Sequence, residues 1–267
     1  MTVQIRNNVH VQGSGPATVI FAHGFGCDQN MWRHFAPKFG EQYQTILFDL
    51  VGGGDSDLAS YDRTKYSSLH GYANDVLEII EEFAARPVIY VGHSVSAMIG
   101  MLAAIKAPHR FAANVMIAPS PSFINDGAYI GGFTRADIDE LLQTLESNYL
   151  GWSSTMAPAI MGAPNGPELG EELTNSFCRT NPEIAKHFAR VTFLADHRAD
   201  LANVTTPTLI IQSDDDILAP VNVGHYMHEH IANSSLSLVK NVGHCPHLTV
   251  PGQSQHATEA FLNSLGL

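Results

Sequence analysis

Gly92-His93-Ser94-Val95-Ser96 sets a serine between small residues two places away on either side. An apolar run at 88–91 precedes it and an apolar helical stretch at 97–107 follows. Such a strand–turn–helix elbow strains the backbone of its serine, and only small flanking residues avoid collision. The hydroxyl then projects beyond the strand, above a helix N-terminus that favours developing negative charge. Ser96 departs from the glycine usual at the last place of this pattern.

A neutral hydroxyl is a poor nucleophile, so it needs an imidazole as base and a carboxylate to orient that imidazole. Asp214-Asp215-Asp216 follows an apolar run at 208–212, and Gly243-His244-Cys245-Pro246-His247 lies past a run at 236–239. Asp216 adjoins Ile217 and Leu218, a placement suited to a carboxylate under an imidazole; Asp214 and Asp215 remain alternatives as helix caps or metal ligands. His244 follows a glycine, which suits a loop passing close to the elbow, and His247 is its competitor. The expected set is Ser94, Asp216 and His244.

Acyl transfer passes through a tetrahedral oxyanion, and each backbone N–H aimed at that oxygen contributes roughly 2.7–4 kcal/mol. The residue after the nucleophile supplies one donor, and the loop after an earlier strand supplies the other. His23-Gly24-Phe25-Gly26, after the run at 18–21, is that loop, so the N–H groups of Phe25 and Val95 are assigned. No cofactor or metal is expected. His225, His228 and His230 do not share one helical face, and His244 with His247 lack a third ligand of suitable spacing. Gly13-Ser14-Gly15 and Gly52-Gly53-Gly54 do not continue into a phosphate-binding fingerprint.

The elements that must position these residues follow from periodicity. Runs at 18–21, 45–48, 88–91, 115–117 and 208–212 are short, β-branched or aromatic, and read as buried strands, with 236–239 as the last. Helical stretches at 72–83, 97–107 and 253–265 intervene or follow, so a mostly parallel sheet with helices on both faces is expected. Between 123 and 197 there is no convincing strand but four helical stretches. One opens at Thr134 with Asp137 three residues on, one carries Trp152 with Pro158 as an expected kink, one starts near Pro167, and one follows Asn181-Pro182. An all-helical insert of this kind reads as a cap over the open end of the sheet. The expected organisation is core at 1–122, cap at 123–197 and core again at 198–267.

Composition sets limits. The chain has 267 residues, 45% of them hydrophobic and 15% charged, as expected of a folded globular protein. Lys and Arg number 14 against 26 Asp and Glu, a net charge of −12 that argues against nucleic acid or an anionic membrane as partner. Three scattered cysteines, Cys27, Cys178 and Cys245, favour free thiols and a reducing compartment. With neither a basic-then-apolar start nor an apolar run long enough to span a bilayer, a cytoplasmic location is expected.

Three stretches, HGFGCDQNMW (23–32), FDLVGGGDSD (48–57) and VGHSVSAMIG (91–100), resemble the RsbQ-like α/β-hydrolases. That family includes a bacterial stress-response regulator and the plant karrikin and strigolactone receptors. The likeness runs from about residue 5 to 265 and includes GGF (131–133) and NYLGW (148–152). GHCPH (243–247) and PSPS (119–122) look more like the bacterial regulator, SVSAM (94–98) more like the plant receptors. The resemblance implies an α/β-hydrolase fold with a four-helix cap, the triad Ser94, Asp216 and His244, and an oxyanion hole from Phe25 and Val95. It also implies that Phe133, Trp152 and Phe193 line a small apolar pocket above Ser94; from the residues alone these aromatics read equally well as cap core. Two functions are implied. One is cleavage of a small apolar ester or butenolide-type lactone without a cofactor. The other is ligand-responsive signalling with slow hydrolysis, through a partner such as a sensor-domain phosphatase. Serine rather than aspartate at position 94 argues against haloalkane dehalogenation.

Overall fold

The computed structural model describes residues 2–267. Its strands are β1 (His10–Gln12), β2 (Thr18–Ala22), β3 (Gln44–Phe48), β4 (Val88–His93), β5 (Phe111–Ile117), β6 (Thr208–Asp215) and β7 (Ser234–Val242). They form one seven-stranded sheet in the order β1-β3-β2-β4-β5-β6-β7. Every neighbouring pair is parallel except β1 with β3, which is antiparallel. The first strand was not anticipated. His10–Gln12 is exposed throughout and lies at the sheet's edge, so it has no apolar alternation to read.

The helices are α1 (Val3–Arg6), α2 (Leu69–Phe83), α3 (Val95–Lys106), α4 (Arg135–Ser147), α5 (Tyr149–Met161), α6 (Pro167–Arg179), α7 (Pro182–Phe193), α8 (Val221–His230), α9 (Pro246–Thr249) and α10 (Pro251–Leu265). Successive strand residues face opposite sides, and the core divides accordingly. Ile20, Ile46, Tyr90 and Met116 pack with α2, α3 and α8, whereas Phe21, Val91, Val115 and Ile211 pack with Trp32, Phe35 and Leu262 of α10. Burying each large apolar side chain contributes roughly 1.5–3 kcal/mol, so both faces hold the sheet in place.

A third apolar cluster lies under α4 to α7, the helices that the chain inserts between β5 and β6. Ile138, Leu142 and Leu145 of α4 meet Trp152, Leu173 and Phe177 there. The Thr134–Asp137 capping box starts α4, and the Asn181 side chain caps α7. The helix α5 continues past Pro158 to Met161. The proline ring packs against Gly170 of α6, where a Cβ would sit 3.0 Å from Pro158 Cα. Among the described residues no helix is long and apolar enough to cross a membrane.

Parallel pairing puts the carboxyl ends of β2, β4, β6 and β7 along one rim. Ala22 pairs with Gly92, His93 with Ile117, and Asp215 with Val242. Open parallel sheets bind their ligands beyond such a rim.

Candidate active site

Ser94 follows β4 directly, with φ 55° and ψ −122°. A non-glycine residue at positive φ costs about 1–3 kcal/mol and persists only where its surroundings hold it. Here the Ser94 N–H donates to the Ile117 carbonyl at 2.8 Å. A Cβ on Gly92 would stand 2.6 Å from the Ser96 carbonyl oxygen, so the residue two places before Ser94 must be glycine. The Ser96 hydroxyl donates to the His23 carbonyl and ties the first turn of α3 to the loop after β2. A side chain that looked like a departure from the pattern is thus a strut between two parts of the site.

His244 is reached from β7 through Gly243, at φ 117°. A Cβ there would lie 2.4 Å from the Met161 carbonyl oxygen, so glycine lets the loop pass this close to α5. The His244 N–H donates to the Ile160 carbonyl at 2.7 Å, and His93 Nε2–H donates to the His244 carbonyl at 2.9 Å. Its imidazole joins two partners from distant parts of the chain. Nδ1–H donates to Asp216 Oδ2 at 2.7 Å, and the Ser94 hydroxyl donates to Nε2 at 2.8 Å. The partners dictate this tautomer, because a carboxylate only accepts. Asp216 Oδ1 is held by the N–H groups of Leu218 at 2.8 Å and Ala219 at 3.1 Å, and the Gln212 amide reaches Oδ2 at 3.4 Å. Ser94, Asp216 and His244 are 7%, 7% and 2% exposed, so little water competes for these bonds.

The neighbouring candidates fall elsewhere. Asp214 accepts the Asn241 N–H at 2.8 Å, and Asp215 is exposed on β6. His247 is fully buried against Trp32 and His93, with ring centroids 4.5 and 4.4 Å away. Neither of its ring nitrogens has a hydrogen-bond partner among the described residues. The supporting roles of His93, Ser96 and Gln212 were missed at the sequence level. Their only local signal was the serine in a glycine's place.

The Phe25 and Val95 N–H groups donate to no acceptor among the described residues. Val95 opens α3, so its free N–H is one of the four that every helix start leaves over. The Phe25 ring is a hub, with centroids of Phe188, Phe177, Phe193 and Trp152 at 5.6, 5.9, 6.1 and 6.2 Å.

A small cavity of about 30 Å³ lies over Ser94 and His244. Trp152 and Phe193 line it, with Phe25, Phe123, Phe177 and Leu218. Phe133 is not among these residues. Its N–H donates to the Phe123 carbonyl at 3.1 Å, and its side chain lines an outer groove with Leu141 and Ile217 between α4 and α5. Cys27 and Cys245 also face the cavity, but burial pushes both thiols up, so they stay protonated and weakly nucleophilic. Among the described residues no group of three or more side chains is arranged to hold a metal ion.

The two buried histidines behind the site make acid stability predictable. Burial and the neighbouring His244 push His247 down to about 3, and His93 is lowered as well, by burial and by His247 and His244. Both are neutral when folded, while the unfolded chain takes up their protons near the ordinary histidine value of ~6.5. Stability is therefore full above that value and is lost as pH falls from it toward 3, by about 1.4 kcal/mol per pH unit from His247 alone. Thermal melting should show a midpoint that drops between pH 7 and pH 4.5, and His247→Leu should flatten that drop. A midpoint independent of pH over this range would contradict the reading.

The chain matches the alpha/beta hydrolase family over residues 19–256. Karrikin insensitive 2 receptor CA of Petunia hybrida is 39% identical, the match covering 93% of this chain and 93% of that one. Strigolactone esterase RMS3 of Pisum sativum is 38% identical over 96% of each chain. The solved structure of a hydrolase from Oleispira antarctica has a TM-score of 0.95 and 46% identity, covering 98% of this chain and 96% of that chain.

Proposed function

The chain belongs to the alpha/beta hydrolase family and has its fold, and from that premise we propose a serine hydrolase that cleaves small apolar esters or lactones through an acyl-enzyme. The observation that carries this reading is the hydrogen-bonded chain from Ser94 through His244 to Asp216 at the floor of an apolar cavity. Ser94 Oγ attacks the ester carbonyl as its proton passes to His244 Nε2. Asp216 holds the imidazole in the required tautomer and stabilises the imidazolium. The Phe25 and Val95 N–H groups, free of other acceptors, receive the oxyanion. Collapse breaks the bond to the leaving oxygen, which takes the proton from His244, and water activated by the same histidine then releases the acid. From a lactone, the leaving alcohol stays tethered to the acyl group. Residues 123–197 serve as the cap, with Trp152 and Phe193 shaping the pocket. Three cysteines without a disulfide suit a cytoplasmic location.

Intact-protein mass spectrometry after exposure to a panel of small esters and butenolide lactones tests this reading. Wild type should gain the mass of an acyl group, transiently or stably, and Ser94→Ala should gain none. An adduct that persists on Ser94→Ala would move the nucleophile elsewhere, and neither adduct nor turnover across the panel would sink the hydrolase.

The relatives named as receptors favour a second reading, in which hydrolysis is slow and ligand occupancy of the cavity controls capture of a signalling protein, such as a sensor-domain phosphatase. Near-single turnover together with ligand-dependent capture of a partner would favour it; fast multiple turnover would favour the enzyme.

A further inference from the structure

The stretch from Val242 to His244 carries the base away from β7, and the glycine at its centre has φ 117°. Backbone groups outside regular structure often turn to water for their hydrogen bonds. Here the protein takes every one of them from the Val242 carbonyl to the His244 carbonyl. The Gly243 N–H donates to the Asp215 carbonyl and the His244 N–H to the Ile160 carbonyl, both at 2.7 Å. The three successive carbonyls each accept from a different side chain. Asn165 donates to Val242 at 2.6 Å, Asn241 to Gly243 at 2.9 Å and His93 to His244 at 2.9 Å.

The two asparagines reach in opposite directions. A side-chain amide nitrogen carries two hydrogens at a fixed angle, so it can bridge two acceptors. Asn165, on the short turn Ala163–Asn165, gives its second bond to the Met161 carbonyl at 2.8 Å. Met161 ends α5, the helix whose Trp152, Met156 and Ile160 line the cavity. Asn241, 5% exposed, gives its second bond to Ser213 Oγ at 3.0 Å, on β6 three residues before Asp216. Its oxygen accepts from the Thr249 hydroxyl at 2.8 Å. Neither asparagine lines the cavity.

We infer that Asn165 and Asn241 are positioning residues, Asn165 fixing the His244 loop to the cap and Asn241 fixing it to the strand that leads to Asp216. The inference deepens the hydrolase reading and rests on it. Each asparagine acts through the backbone of the base, with no contact to substrate. Misplacing a reacting group by about 1 Å can cost on the order of 100-fold in rate, so a loop held from both sides bears directly on turnover.

The test replaces each asparagine in turn. In Asn165→Ala and in Asn241→Ala, kcat for a small aryl ester should fall roughly three- to thirtyfold, with KM within about twofold of wild type. Should Asn241→Ala fail to fold, Asn241→Asp replaces it, with the same shape but no N–H to give Gly243. Asn181→Ala, which uncaps α7 and lowers stability, is the control. Assayed well below every thermal midpoint, it should keep the wild-type kcat. An equal loss in Asn181→Ala would reduce the effect to one of stability and overturn the inference. A kcat within about twofold of wild type would remove the asparagine concerned from the role. A second readout is independent of turnover. Amide hydrogen exchange over 243–245 should quicken in both asparagine variants, while exchange over 209–212 stays as in wild type. If wild type turns over no ester, the hydrolase reading fails by itself. Unchanged exchange over 243–245 would overturn the positioning role separately.

Discussion

Ser94→Ala is expected to fold as wild type does and to lose about 10⁴- to 10⁶-fold in turnover of a small aryl ester. The fold should survive because the Ser94 side chain makes one hydrogen bond, to His244, while the backbone bond to Ile117 and the strut from Ser96 to His23 remain. Alanine meets the same backbone strain at φ 55° as serine does. Activity should fall this far because the alternative nucleophiles at the cavity are protonated thiols. Residual catalysis from the oxyanion donors and substrate binding sets the lower limit. Adding His244→Ala to Ser94→Ala should cost little more, since the residues act as a unit. Steady-state kinetics with circular dichroism as the fold control checks this. Retention of more than about one hundredth of wild-type turnover would remove Ser94 from the mechanism.

Asp216→Asn is expected to cost about 10⁴-fold in kcat with little change in KM. The reason lies in what surrounds the carboxylate. Oδ1 accepts two backbone N–H groups, from Leu218 and Ala219, so the asparagine carbonyl must take that place. The amide nitrogen then faces His244 Nδ1 where Oδ2 stood, 2.7 Å away. Two donors cannot face each other, so the imidazole moves its proton to Nε2 and presents a donor to Ser94 instead of an acceptor. The base is lost while the geometry stays. A loss smaller than tenfold would mean that the backbone bond from His244 to Ile160 orients the ring without the carboxylate.

Local features of this protein were legible because they rest on short-range sterics and periodicity. The elbow could be read from small residues around Ser94 beside a buried strand and an apolar helix, and the helix starts at Thr134 and Asn181 from their caps. Edge strand β1 was hidden because solvent faces both its sides and removes the alternation. That the Pro158 ring would pack on Gly170 of α6 was not legible, because the pairing of two helices is a tertiary contact.

Which acid and which histidine meet the serine was a choice among near neighbours. Asp214, Asp215 and Asp216 are alike in type, as are His244 and His247, and composition left each choice open.

From residue order alone came the alternation of strands and helices, the position of the strained serine and the pool of acids and imidazoles near it. Folding made the selection. Ser94 and His244 are 150 residues apart in sequence, and their contact depends on the angles at which β4, β6 and β7 leave the sheet. The same holds for Phe133, turned to the outer groove, and for the His247 ring, whose nitrogens have no hydrogen-bond partner among the described residues. Direction and partnership of a side chain are set by packing between distant segments, and no local pattern encodes them.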